Sequence, residues 1–424
     1  MYLAHRVPYP PNKGDKIRAL WQIKSLSARH DIDLFSFYDH EEDRNSVDAL
    51  RPYCREVYVE RLSWVGSRAR ALAAAVRQRP FSLAYFHSPS MARKIREPLA
   101  SRKYDAIMVF SSSMAGYVEH QRDIPCVLDM VDVDSAKWAE YGNSSSVLLR
   151  RLWKQEARLL GDYERNVATS FARTLLCTDA EAALLRRFAK NGAIDVLRHM
   201  VDTEYFDPAK VEIPPHVANL QPYVLFAGSM DYAPNVDAVE WFYRNSLPVM
   251  RENMPELKFV IVGRNPARAV QDLARQAEAV VVTGTVPDVR PYFRAASATV
   301  APMLLARGVQ NKILESLAMG VPVATSSRAA QAFPLEVLNS IVVEDDPALL
   351  AKKLLQMTRS GSKPPIPELR QALERVFGDE SLKLRLENIL YEAVISFRPA
   401  HASQTCNDPA VTAATRPRGE AMNA

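Results

Sequence analysis

Lys312 and Glu315 stand three residues apart in the stretch Arg307-Gly-Val-Gln-Asn-Lys312-Ile-Leu-Glu315-Ser-Leu-Ala-Met-Gly-Val-Pro322-Val. A glycine-bearing loop opens a helix there, with Ile313, Leu314, Leu317 and Ala318 as its apolar positions. Free backbone N–H groups at such a helix start form an anion site. Arg307 and Lys312 add cationic donors suited to a diphosphate. Glu315, one turn into the helix, can accept two ribose hydroxyls, as acidic residues do in dinucleotide folds. The plainer alternative is a solvated helix carrying a Lys–Glu pair worth about 0.2–0.5 kcal/mol.

A second set of polar residues follows an apolar run at Cys126–Val131: Asp129, Asp132 and Asp134. Asp132 is placed to position sugar or acceptor hydroxyls; otherwise Asp134 or Ser135 caps the next helix. The opening loop Pro8-Tyr-Pro-Pro-Asn12-Lys13-Gly14-Asp15-Lys16 is stiffened by prolines, and Gly14 permits close backbone approach. Lys13 and Lys16 supply charge, and Asp15 is a candidate helix cap. The histidines and the four cysteines are scattered and show no metal spacing, so no metal ion and no cofactor is expected.

Strands alternate with helical stretches throughout, which predicts an α/β fold with parallel sheets. Expected strands in the first half are Tyr2–His5, Asp31–Phe37, Glu56–Glu60, Ala106–Phe110, Cys126–Val131 and Thr174–Cys177. Those in the second half are Tyr223–Ala227, Lys258–Val262, Val280–Thr283, Thr299–Pro302 and Val321–Thr325. Several of these end in Gly, as a ligand-binding carboxyl edge requires. Residues 199–222 lose periodicity and carry several prolines, which marks a boundary. The expected division is 1–200 and 223–380 as two domains, 201–222 as linker, 381–397 as a helix closing the second domain, and 398–424 as a disordered tail.

With 424 residues the chain exceeds one ordinary core, and a net charge of +5 carries no nucleic-acid signal. The charge is uneven: Arg51 to Lys103 holds 12 Lys or Arg against 3 Asp or Glu. The segment 63–81 within it reads either as an interfacial helix on an anionic membrane or as a solvated surface helix. No apolar run reaches the ~18 residues of a membrane helix, and the start is too polar for a signal peptide. A cytoplasmic location follows, with peripheral contact at the inner face of the plasma membrane on the first reading. No strand ends in GxGxxG, which disfavours hydride chemistry.

Residues 227–242 (AGSMDYAPNVDAVEWF), 260–267 (VIVGRNPA), 282–293 (VTGTVPDVRPYF) and 307–323 carry a family resemblance. The second half resembles the donor-binding domain of GT-B retaining glycosyltransferases of family 4. The opening AHRVPYPPNKGDKIR and LDMVDVDSAKW at 128–138 are similar to the first domain of transferases associated with exosortase and exopolysaccharide loci. The resemblance implies a GT-B fold: two facing Rossmann-like doubly wound domains with a cleft between them, the first on the acceptor side. It implies metal-independent transfer of a hexosyl group from a nucleotide-diphosphate sugar to a glycan or polyprenyl-diphosphate-linked acceptor.

By position, the resemblance gives Glu315 the donor ribose, and gives Lys312 with the backbone of Gly308, Val309, Gln310 and Asn311 the diphosphate. Val286 would hold the base, and Gly228, Ser229, Met230 and Asp231 would face the phosphates. Asn12, Lys13, Gly14 and Asp15 would close over the donor and shape the acceptor site. Arg307 stands where the family carries the first Glu of its Glu-x7-Glu motif, which touches the transferred sugar. Met230 and Asp231 stand where the family has Arg and Lys, so Arg264 or Arg307 is expected to supply that charge. Two alternatives remain open: a sugar-nucleotide epimerase of the same fold, and a non-catalytic sugar-nucleotide-binding assembly protein.

Overall fold

The computed structural model describes residues 1–101, 104–144, 147–361 and 366–397. The expectation of a disordered tail at 398–424 falls outside them.

Short runs rich in β-branched and aromatic residues build two parallel sheets. The first contains β1 Tyr2–Ala4, β2 Asp33–Tyr38, β3 Glu56–Arg61, β4 Ile107–Phe110, β5 Cys126–Val131, β6 Arg173–Leu176 and β7 Ile194–Val196, in spatial order β3-β2-β1-β4-β5-β6-β7. The second contains β8 Tyr223–Ala227, β9 Lys258–Val262, β10 Val280–Gly284, β11 Ala298–Ala301, β12 Val323–Thr325 and β13 Ile341–Val343, in order β10-β9-β8-β11-β12-β13. Each sheet reverses its winding once, between β1 and β4 and between β8 and β11. A reversal leaves a crevice beyond the strands' carboxyl ends, where ligands bind in such folds.

The central strands are sealed on both faces. Every residue of β1, β2, β4, β8 and β11 is buried, which is why β1, β4 and β8 read as unbroken apolar runs. The edge strands β7 and β13 escaped the sequence reading. Each is three residues long with only its first residue buried, so neither carries an apolar run long enough to stand out.

The connecting residues 201–222 are packed on the second domain: Val201, Val211 and Val217 are 4%, 4% and 0% exposed and belong to its clusters. Val201 N–H also donates to the Phe377 carbonyl at 3.0 Å. The last helix, Asp379–Ser396, does not close the second domain. Its buried face of Leu382, Leu386, Ile389 and Ala393 joins the first domain's core beside Trp21 and Leu20. Trp21 Nε1 donates to Asp379 at 2.7 Å, and Arg385 pairs with Asp195 at 2.6 Å. Periodicity announces an apolar face; only the fold shows which groove receives it.

Candidate functional site

The carboxyl ends of β8 and β9 are laced together. Gly228 N–H donates to the Val262 carbonyl at 3.0 Å, and Met230 N–H to the Arg264 carbonyl at 2.9 Å. The approach is so close that a Cβ on Gly263 would overlap the Gly228 carbonyl oxygen. Gly263→Ala is therefore expected to force the two loops apart and destabilise the protein by about 1–3 kcal/mol. Urea unfolding checks this; an unchanged midpoint would show that the loops part without strain. Arg264 Nε donates to Ser229 Oγ at 2.8 Å, which orients one expected donor residue on another. Met230 is fully buried in the core, so it can offer a ligand only its backbone; Asp231 is exposed.

Ile313, Leu314, Leu317 and Ala318 bury one face of the helix Asn311–Ala318 against β11 and β12. Gln310 caps the helix without a side-chain hydrogen bond; Ile313 N–H donates to the Gln310 carbonyl at 2.9 Å, which leaves the Asn311 and Lys312 N–H groups at the helix start for a ligand. Lys312 is only 7% exposed. Its Nζ donates to Asn235 Oδ1 at 3.0 Å and Gln310 Oε1 at 3.2 Å, and lies 5.0 Å from the Phe226 ring centroid. Burial lowers the Lys312 pKa to about 8. Burial likewise raises Glu315 to about 7, with Lys312 opposing the shift. This is not the solvated Lys–Glu pair of the plainer alternative: Lys312 is held by neutral oxygens inside the protein. Asn311 Oδ1 is buried and has no partner among the described residues. Val286 follows β10 and is half-buried against the cluster beneath it.

In the first domain, Asp129 anchors the end of β5. Arg18 Nε donates to it at 2.7 Å from a buried position, Gln22 Nε2 donates to the same oxygen, and Asp129 Oδ1 accepts from Val131 N–H at 3.0 Å. Val131 has φ +66° and Ser111, at the end of β4, has φ +80°. Such conformations cost about 1–3 kcal/mol each in a non-glycine residue and gather at functional sites. Asp132 comes next. Its Oδ1 accepts from Cys177 Sγ at 3.0 Å, and burial, then the neighbouring Glu181, raises its pKa to about 6.

The opening loop behaves differently from the expectation in one respect. Lys16 does not supply charge to a ligand; it is buried and paired with Asp43 at 2.6 Å. Asn12, Lys13 and Gly14 are exposed. Asp15 is bound by Arg6 at 2.9 Å and by His5 at 3.3 Å. Against the burial that would raise it, His5 and Arg6 hold Asp15 well below the usual carboxylate range.

The two edges meet at Arg307. Its Nη1 donates to Glu181 Oε1 at 2.9 Å and its Nη2 to Glu140 Oε1 at 2.8 Å. Both carboxylates belong to the first domain, on the helices Asp179–Phe188 and Asp134–Ser144. Glu181 Oε2 also accepts from Val133 N–H at 2.8 Å, tying this contact to the loop of Asp132. A Cβ on Gly308 would lie 2.7 Å from Asp132 Oδ1, and glycine's φ there is +61°. Arg307 is thus engaged across the cleft rather than free to meet a diphosphate, as its charge alone had led us to expect.

Sequence reasoning missed Asn235, Glu140, Glu181, Cys177, His5 and Tyr205. His5 and Asn235 lie inside segments that carry the resemblance, but their partners, like those of Glu140, Glu181 and Cys177, are set by contacts that no spacing announces. Tyr205 had a weak signal, an aromatic in the Pro-rich connector. Burial raises its pKa, with Asp288 acting in the same direction and Arg290, whose guanidinium lies 3.9 Å from the ring centroid, opposing. Among the described residues no group of three His, Cys, Asp or Glu side chains could hold a metal ion.

Comparison with solved structures gives the same architecture over nearly the whole chain. Sucrose-phosphate synthase from Thermosynechococcus elongatus superposes with a TM-score of 0.66 at 15% identity, over 93% of this chain and 98% of that one. HepE of Anabaena, in complex with UDP and glucose, gives 0.61 at 12% identity over 92% and 98%. A glycosyltransferase from Rickettsia africae gives 0.61 at 11% identity over 93% and 97%. No curated protein matches the chain. The fold is that of GT-B glycosyltransferases, two Rossmann-like domains with parallel sheets, and residues 221–360 match the family model of Glycosyl transferases group 1.

Proposed function

We propose that the protein transfers a hexosyl group from a nucleotide-diphosphate sugar to a glycan acceptor, with retention and without a metal ion. The acceptor is polyprenyl-diphosphate-linked, and the product enters exopolysaccharide or another cell-surface polysaccharide. One observation carries this reading: the loop at Gly308, which leads directly into Asn311, Lys312 and the helix start at the second sheet's crevice, lies against Asp132 at the first sheet's crevice. HepE of Anabaena, of the same fold, was solved with UDP-glucose, which supports a nucleotide sugar as donor here.

In the reaction the bond from the anomeric carbon to the diphosphate breaks, one to the acceptor oxygen forms on the same face, and the acceptor hydroxyl's proton passes to the departing diphosphate oxygen. The helix start and Lys312 stabilise the charge gathering on the departing diphosphate. Glu315 accepts the ribose hydroxyls. Asp132 is ionised above about pH 6 and accepts a hydrogen bond from a sugar or acceptor hydroxyl. Orientation and charge stabilisation account for most of what such an enzyme must supply.

The test is release of nucleoside diphosphate from UDP-, GDP-, ADP- and dTDP-sugars, with and without a lipid extract of the source cell. Release from donors of one base, accelerated by the lipid, is expected. Binding without release from any donor would leave the assembly-protein alternative, and interconversion of donor without acceptor would reveal an epimerase.

A further inference from the structure

The helix Trp64–Val76 in the first domain turns an apolar face to solvent. Trp64, Val65, Leu72 and Val76 are 59%, 68%, 69% and 78% exposed. At about 100° per residue, Val65, Ala69, Leu72, Ala73 and Val76 fall on one stripe, and all five are exposed. Single exposed aliphatic side chains are ordinary, but a continuous helical stripe marks a surface that something covers.

The rim of the stripe is basic. Arg68 is exposed and lies 4.0 Å over the Trp64 ring; Arg77 and Arg79 are exposed at the helix's end. From residue 61 to 96 there are 8 Lys or Arg and no Asp or Glu. The helix Val147–Ser170 runs alongside, where Gln155 Nε2 donates to the Ala75 carbonyl at 3.0 Å. One to two turns earlier, Leu149, Arg150 and Arg151 are exposed as well.

We infer that this face docks the protein on an anionic lipid bilayer. The aliphatic stripe enters the boundary between headgroups and acyl chains, Trp64 sits at headgroup level, and the arginines pair with lipid phosphates. Arginines alone would equally suit a nucleic acid; the exposed valines and leucine have no use there and do have one in a bilayer. The same face is joined to the cleft. Phe81 packs on Trp138 at 5.3 Å, and Trp138 stacks on Trp153 at 5.0 Å. Trp138 belongs to the helix Asp134–Ser144, which also carries Glu140, the partner of Arg307. A bilayer held at the stripe would therefore present a lipid-linked acceptor close to Asp132. Only this last link rests on the proposed acceptor; the docking does not.

The test is co-sedimentation of the full chain, with no donor or acceptor, on vesicles of phosphatidylcholine with and without phosphatidylglycerol. Sedimentation with the anionic vesicles, reversed by high salt, is expected. Leu72→Glu with Val76→Glu, and separately Arg68→Glu with Arg77→Glu, should each weaken partition roughly tenfold or more. All four positions are exposed, so thermal melting should match the parent's. A parent protein that stays in solution beside anionic vesicles overturns the inference. So do variants that sediment like the parent, and so does binding to an oligonucleotide in place of vesicles. Vesicle binding without glycosyl transfer would keep the docking and remove the proposed reaction.

Discussion

Arg307→Glu is expected to open the cleft. The wild-type guanidinium is one-fifth exposed and bridges Glu181, at 6% exposed, and Glu140. The substitution removes both ion pairs and sets a carboxylate against two others, with Asp132 close by. Breaking a fully buried pair costs about 3–5 kcal/mol; this partly exposed one should cost ~2–3 kcal/mol. That shifts the closed-to-open ratio roughly 30- to 150-fold. Relative motion of two domains is the default unless something holds them, and here Arg307 does the holding. Small-angle scattering should show a larger radius of gyration for the variant, returning toward the parent's when Glu181→Arg is added. An unchanged radius would mean that the two domains stay together without these pairs. The variant also places at this position the Glu that the resemblance in sequence leads one to expect. Opening accompanied by gain of transfer would then separate the latch from the chemistry.

Lys312→Ala is expected to abolish measurable nucleotide binding, and Glu315→Ala to weaken it strongly. Lys312 is already desolvated and held by Asn235 and Gln310, so little is lost in ordering it when a diphosphate arrives. A ligand at about a hundred times its dissociation constant stabilises a protein by ~2.7 kcal/mol, a shift of several degrees. Melting curves with UDP, GDP, ADP and CMP should show that shift for one base in the parent and none in Lys312→Ala. Equal shifts in parent and both variants would place the site elsewhere.

The pKa values add a pH signature to this site. A diphosphate binds the charged form of Lys312, which in the free protein loses its proton above about pH 8. Affinity should then fall about tenfold per pH unit as pH rises past 8. The ribose is accepted by the ionised form of Glu315, which takes up a proton below about pH 7. Affinity should therefore also fall as pH drops below 7, and Glu315→Gln should flatten that acid limb while leaving the alkaline one. Calorimetry across pH 6–9.5 reads both limbs; a flat profile would mean neither group meets the ligand in its charged form.

The sequence went far with elements whose signal is local. β8 begins and ends where its apolar run does, and β9 ends where its own does, since a strand buried on both faces needs an unbroken run. The helix Asn311–Ala318 was legible from its apolar positions and the glycine before it. Lys312 and Glu315 stand on that helix, and only their burial there was hidden from the spacing. The short edge strands β7 and β13 were not legible, and neither was the direction taken by the last helix, because a half-buried strand or a single apolar face fits many neighbours.

What the sequence by itself determined is the alternation of strands and helices, hence two parallel sheets, and the residue types gathered at their carboxyl ends. These follow from backbone geometry and short-range spacing, which the chain carries wherever it goes. Only the tertiary structure decided what those residues do with their charges. Lys16, a free cation by sequence, is paired with Asp43; Arg307, a diphosphate donor by charge, bridges the cleft to Glu140 and Glu181; Lys312, half of a helix ion pair by spacing, is buried among neutral oxygens. A charge interacts with whatever the fold brings within a few ångströms, across 167 residues of chain in the Arg307–Glu140 pair, and no local pattern records that distance.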